Sequence, residues 1–181
     1  MSRNYYYYFV ASLPALDFGQ KPPMTARDFL EKAKGLLSEQ DFLELLEAEN
    51  NCDDEKCPQN ALLKSWYEFE RRLRNELCWM RGRRFGKDAS QYIRGYRESD
   101  PFSVDTVNQA MRAADPLEAE RLLDLVRWKK MNELAAFHYF DLEILIIYLL
   151  QLKILERYQG IGSPQGQKIY LESIKAEIPV V

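Results

Sequence analysis

The chain has 181 residues, 46% of them hydrophobic and 29% charged, with a formal net charge of −3. That apolar content excludes a disordered polypeptide, and the slightly acidic balance gives no whole-chain argument for nucleic acid. Cys52, Cys57 and Cys78 are an odd number of cysteines, and MSRNYYYYFVASLP lacks a signal-peptide pattern. A reducing, cytoplasmic protein with free thiols is therefore expected.

In chain order, Tyr5–Tyr8 with Phe9 and Val10 have strand propensity. No second strand is available to pair with them, so strand and helix both stay open here. Thr25 with Asp28, and Ser38 with Asp41, look like N-caps with an acid at N3. They predict helices over 25–35 and 39–48. Residues 50–58 read as a polar, acidic loop. Leu62, Leu63, Trp66, Phe69, Leu73, Leu77 and Met80 recur at spacings of three and four, which predicts a long helix over 59–83. Gly82 and Gly86 bracket its stop. Shorter helices are expected at 88–96 and 103–114. Asp115 and Pro116 make an Ncap–N1 pair for a helix to about Lys130.

Phe137 to Tyr158 then forms a very apolar helical pattern, ending near Gly160. A membrane span needs about 20 apolar residues with few charges. The uncharged run here is only Ile144 to Leu152, so a buried central helix is expected instead. Ser163-Pro164 would open a last helix, to about Glu177. The reading is an all-α, multi-helix bundle of about eight helices in a single domain, 1–181, with a possible elongated lobe near 59–97.

Chemistry-bearing patterns are sparse. Cys52-x4-Cys57 lacks the second ligand pair that zinc sites usually have. The single histidine, His138, has Glu133 and Glu143 five residues away on either side, which is not a helical ligand spacing. No dinucleotide, P-loop or nucleophile-elbow motif occurs. No catalytic residue, cofactor or metal site is assigned.

The charge distribution is more informative. From Arg71 to Arg97 there are nine basic residues (Arg71, Arg72, Arg74, Arg81, Arg83, Arg84, Lys87, Arg94, Arg97) and two acids. From Glu39 to Lys56 there are eight acids and one lysine. A solvated face, a docking face for an acidic partner and a nucleic-acid surface all fit such a tract.

The segment from Tyr148 to Ile161, YLLQLKILERYQGI, resembles part of the C subunit (d in eukaryotes) of the rotary V-type and A-type ATPases. Lys153, Glu156 and Arg157 carry the match. The Tyr-rich start, Leu36-Leu37 and Phe42-Leu43-Glu44-Leu45-Leu46 resemble that family's opening. Tyr7-Tyr8-Phe9-Val10-Ala11-Ser12-Leu13-Pro14 is similar to the signature of an uncharacterised bacterial family found with V-type ATPase genes. The resemblance implies a non-catalytic helical subunit on the cytoplasmic face of the membrane, peripheral to it, between the rotor ring and the central stalk. The basic face of Arg71, Arg72, Arg74, Arg81, Arg83 and Arg84, together with Lys153 and Glu156 of the resembling segment, is the expected contact surface, and no cofactor is expected. Lys153 and Glu156, at i and i+3, are also placed for a simple intrahelical ion pair.

Overall fold

The computed structural model describes residues 4–50, 58–98 and 101–162, together with 166, 168, 169, 171 and 172. Among these the chain is all-α, with seven α-helices, one 3-10 turn and no strand. The helices are α1 Tyr7–Ser12, α2 Ala26–Lys34, α3 Glu39–Glu49, α4 Ala61–Arg84, α5 Pro101–Arg112, α6 Pro116–Ala135 and α7 Leu142–Gly162.

Local chemistry starts most of them. The Thr25 hydroxyl accepts from the Asp28 N–H, and the Asp28 carboxylate accepts from the Thr25 N–H, a complete capping box for α2. Ser38 caps α3 in the same way, accepting from the Asp41 N–H at 3.2 Å. The Asn60 side chain accepts from the N–H groups of Leu62 and Leu63 to open α4. Asp115 accepts from the Glu118 N–H at 2.7 Å, with Pro116 in the first turn of α6.

α7 is the axis of the molecule. It packs against α2, α3 and α6. Leu145, Ile146, Leu149 and Leu152 are fully buried, and Leu142, Ile147, Leu150, Ile154 and Leu155 nearly so. Such all-round burial is what a run without a polar face requires. No helix among the described residues is long and apolar enough to cross a membrane. α4 packs against α5 and α6 and contributes Leu62, Leu63, Trp66, Phe69, Leu73 and Leu77 to the core.

The Tyr-rich start is helical from Tyr7 onward. Phe9 stacks on Phe29 with ring centroids 5.5 Å apart. The Tyr6 N–H donates to the Phe140 carbonyl, and the Tyr6 hydroxyl donates to the Asp41 carboxylate. A six-residue helix cannot stand alone. These contacts with distant parts of the chain hold it, so the open choice between strand and helix is settled by packing.

Three expected boundaries are corrected. The helix expected over 88–96 is only a 3-10 turn at Ser90–Tyr92. Asp88 folds back to accept from the Ser90 N–H, and Gly86 and Gly95 both have φ of +63°, which a continuous helix does not allow. α6 runs on to Ala135 rather than stopping near Lys130. The apolar helix begins at Leu142, not Phe137. Phe137 is 88% exposed, and Asp141 accepts from the Ile144 N–H at 3.4 Å as the cap of α7. An aspartate prefers that position to a helix interior. The expected start of the last helix at Ser163-Pro164 and the pair Cys52–Cys57 lie outside the described residues.

A buried ionic chain ties α4, α6 and α7 together. Glu70 accepts from Arg127 at 2.5 Å and from Arg74 at 3.2 Å. Arg127 also donates to Asp124 at 3.0 Å, and Arg157 of α7 donates to the same carboxylate. Burial pushes the Asp124 carboxyl up, against the opposing pull of Arg157 and Arg127. Burial works against the charge of Arg127, but Glu70 and Asp124 outweigh it and hold the guanidinium above its usual value.

Candidate functional site

The nine basic residues of the Arg71–Arg97 tract separate by what they touch. Arg72 reaches Glu98 at 3.4 Å. Arg74 is held by Glu70. Arg97 forks onto the buried Glu76 at 2.9 Å and covers the Trp79 ring at 4.5 Å. Arg71 is exposed and lies beside Gly95. Arg72 and Arg97 fasten the 93–98 segment to α4, while Arg74 stays on the helix itself.

Arg81, Arg83, Arg84 and Lys87 differ. All four are exposed, and no carboxylate of the described residues lies within 4.0 Å of them. Arg84 alone has a weak tie, donating to the Met111 carbonyl at 3.4 Å. Three of them occupy the last turn of α4, where cations complement the negative end of the helix dipole.

Here a groove of about 480 Å³ opens between α4 and the 85–92 loop. Arg74, Leu77, Cys78, Arg81 and Phe85 line one side at spacings of three and four, a single helical face. Lys87, Asp88, Ala89 and Tyr92 line the other. Phe85 is 72% exposed and Tyr92 67%, whereas Ala89 is buried. The loop lies directly on the helix because position 82 is glycine. A Cβ there would come within 2.6 Å of the Ala89 Cβ. The Lys87 N–H donates to the Gly82 carbonyl at 2.9 Å, and Gly86 makes the left-handed turn between them. Asp88 is the acid of the groove wall, and it is engaged internally. The N–H and hydroxyl of Ser90 both donate to it at 2.9 Å and hold its carboxyl below the usual range.

Lys153 and Glu156 do not pair with each other. Lys153 donates to the Glu49 carbonyl at 2.5 Å, at the C-terminal end of α3. Glu156 accepts from the Ala26 N–H at 2.8 Å, at the N-terminal end of α2. One helix thus supplies a cation to the negative end of one neighbour and an anion to the positive end of another. Burial lowers the Lys153 ammonium from its usual value, with Glu49 and Glu156 opposing.

Among the described residues, one group of three potential metal ligands comes together. His138 Nδ1 is 2.7 Å from Asp141 and 4.0 Å from Glu143. On the sequence alone only Glu133 and Glu143 are weighed beside His138, and neither has a ligand spacing; the neighbour at i+3, Asp141, is the one that pairs. The set offers nitrogen and oxygen donors, but Asp141 already caps α7, and the positive end of that helix disfavours a cation. Every buried side-chain polar atom among the described residues has a hydrogen-bond partner.

Phe85 and Tyr92, the rings of the groove, did not emerge from the pattern of apolar spacing. The available clue was composition: Phe85, Tyr92 and Tyr96 interleave with the basic tract.

Among the described residues the chain is thus all-α, with a basic, partly apolar groove at the end of its long helix. A family model described as a protein of unknown function (DUF2764) matches residues 98–177, which include α5, α6 and α7 and leave the groove outside. No curated protein and no solved structure matches the chain.

Proposed function

We propose that this chain is a non-catalytic coupling component of a rotary V-type ATPase. It would sit peripherally on the cytoplasmic face of the membrane and meet rotor-ring or central-stalk subunits through the end of α4. The single observation behind this reading is the cluster Arg81, Arg83, Arg84 and Lys87, exposed and without carboxylate partners among the described residues. Unpaired cations around a partly apolar groove favour association with an acidic surface. The resemblance of the opening signature and of the Tyr148–Ile161 segment to V-type ATPase-linked families supplies the identity of the partner. Of the residues expected to make contact, the exposed arginines of the last turn of α4 fit best. Lys153 and Glu156 serve internal caps.

Rigid helices suit a part that passes force by contact. The ionic chain across α4, α6 and α7 resists their sliding. A second reading, a helical adaptor for some other acidic protein, draws on the same cations without the family resemblance.

The test is a tagged pull-down from native membranes at low salt, with co-purifying proteins identified by mass spectrometry. Rotor or stalk subunits at near-equal stoichiometry are expected. Their absence, while the ATPase is assembled in the same membranes, overturns this reading and favours the adaptor.

A further inference from the structure

We infer that the groove between α4 and the 85–92 loop receives an acidic amphipathic helix of a partner protein, with one large apolar side chain seated between Phe85 and Tyr92. This deepens the docking role proposed above and rests on it.

Three features of the groove select that occupant. The first is charge. Arg81 and Lys87 stand on opposite walls, and the acid of the lining, Asp88, is engaged by Ser90. An entering carboxylate meets cations on both sides, and these outnumber the one acid of the groove wall, Asp88. The second is the floor. Leu77, Cys78 and Ala89 present carbon and sulfur, which a phosphate or a purely polar acidic chain leaves unused. Phe85 and Tyr92 are large rings left in water, as interface anchors are before binding. The third is length. The wall from Arg74 to Phe85 rises roughly 16 Å at about 1.5 Å per residue, which matches about three turns of an incoming helix. Helix-in-groove recognition joins these features: apolar anchors enter the groove and flanking charges set orientation.

Gly82 sets the spacing of the two walls. Because a Cβ there would collide with Ala89, a larger residue must push the loop away from α4 without removing any charge. Shape and charge can therefore be varied separately. Cys78 lies inside the groove and is a free thiol, so its accessibility reports occupancy.

The experiment uses the full chain with Cys52 and Cys57 changed to serine. The probe is a synthetic amphipathic helix with glutamates on one face and leucines and one phenylalanine on the other. Binding is followed by fluorescence anisotropy, and Cys78 by its rate of alkylation with N-ethylmaleimide. Saturating binding and a several-fold slower alkylation are expected. Phe85→Ala should weaken binding about tenfold, in the range of a lost aromatic anchor. The pair Arg81→Glu and Lys87→Glu should abolish it, and Gly82→Val should weaken it with all cations retained.

Equal binding of a scrambled peptide of the same composition would overturn the inference, as would an unchanged Cys78 rate. Tighter binding of duplex DNA or of phosphatidylserine vesicles, with the same loss on charge reversal, would assign the cations to phosphate instead. The pull-down keeps this inference apart from the reading it rests on. Peptide binding without ATPase subunits defeats the ATPase reading alone. Recovery of ATPase subunits that survives Arg81→Glu with Lys87→Glu defeats the groove alone.

Discussion

The carboxylate of Glu156, on α7, accepts the backbone N–H of Ala26 at 2.8 Å, although 130 positions separate the two residues. Three residues earlier on the same helix the same device works in reverse, with Lys153 on the Glu49 carbonyl. α7 therefore fixes α2 and α3 both by apolar packing and by serving their ends. Glu156→Ala leaves the first N–H of α2 without its partner. A loss of about 1–2 kcal/mol is expected, as for a removed cap or hydrogen bond. The urea midpoint checks it; an unchanged midpoint would mean that Thr25 and Asp28 alone hold that end.

Arg127 is the centre of the buried ionic chain, with 11% of its side chain exposed and Glu70 at 10%. Arg127→Ala should cost about 3 kcal/mol, the low end for a broken buried pair, because Glu70 keeps Arg74 and Asp124 keeps Arg157. Replacing both Glu70 and Arg127 by Met should cost less than the single change. Equilibrium denaturation of the three variants decides the order.

Asp41 carries the pH dependence of the N-terminal helix. Burial acts to raise its carboxyl, but donors from Tyr6, Asn4 and Ser38 prevail and hold it below the usual 3.8. The folded carboxyl thus gives up its proton more readily than the unfolded one. Its contribution is complete above pH 3.8 and fades as pH falls through the lower folded value. Hydrogen exchange of the α1 amides should accelerate in that acid window relative to other helices. In Asp41→Asn the extra acid sensitivity should vanish.

Charge reversal should separate the two kinds of arginine on α4. Arg81→Glu, Arg83→Glu and Arg84→Glu together should keep the thermal midpoint within a few degrees while partner capture in the pull-down falls. Arg74→Glu should instead lower the midpoint, because it faces Glu70 with a second carboxylate. Capture that survives the triple change would remove the end of α4 as the contact surface.

Phe29 is fully buried, between Phe9 at 5.5 Å and Tyr148 at 5.2 Å. Phe29→Ala should destabilise by about 3–5 kcal/mol through the cavity left behind. It should also free α1. The same crowding pushes the Tyr148 hydroxyl up to about 12 as burial disfavours its anion, while that hydroxyl donates to the Pro14 carbonyl at 3.0 Å.

What the sequence determined by itself was whatever depends on neighbours within a turn or two. Caps at Thr25, Ser38 and Asp115 act over three residues. The spacing of Leu62 to Leu77 defines a helix face regardless of what covers it, and the apolar run around Leu149 requires burial on all sides. The tertiary structure alone decided the rest, since the deciding partners lie far along the chain. Tyr5–Tyr8 have strand propensity, and Phe29, Asp41 and Phe140 make the segment that starts at Tyr7 a helix. Lys153 and Glu156 have the spacing of an ion pair, yet the ends of α3 and α2 offer them better partners. The basic tract reads as one unit, and only folding divides the arginines held by Glu70, Glu76 and Glu98 from those that no carboxylate among the described residues reaches. Local order follows from backbone sterics and short hydrogen bonds; the fate of a long charged side chain follows from which surface the fold brings within its reach.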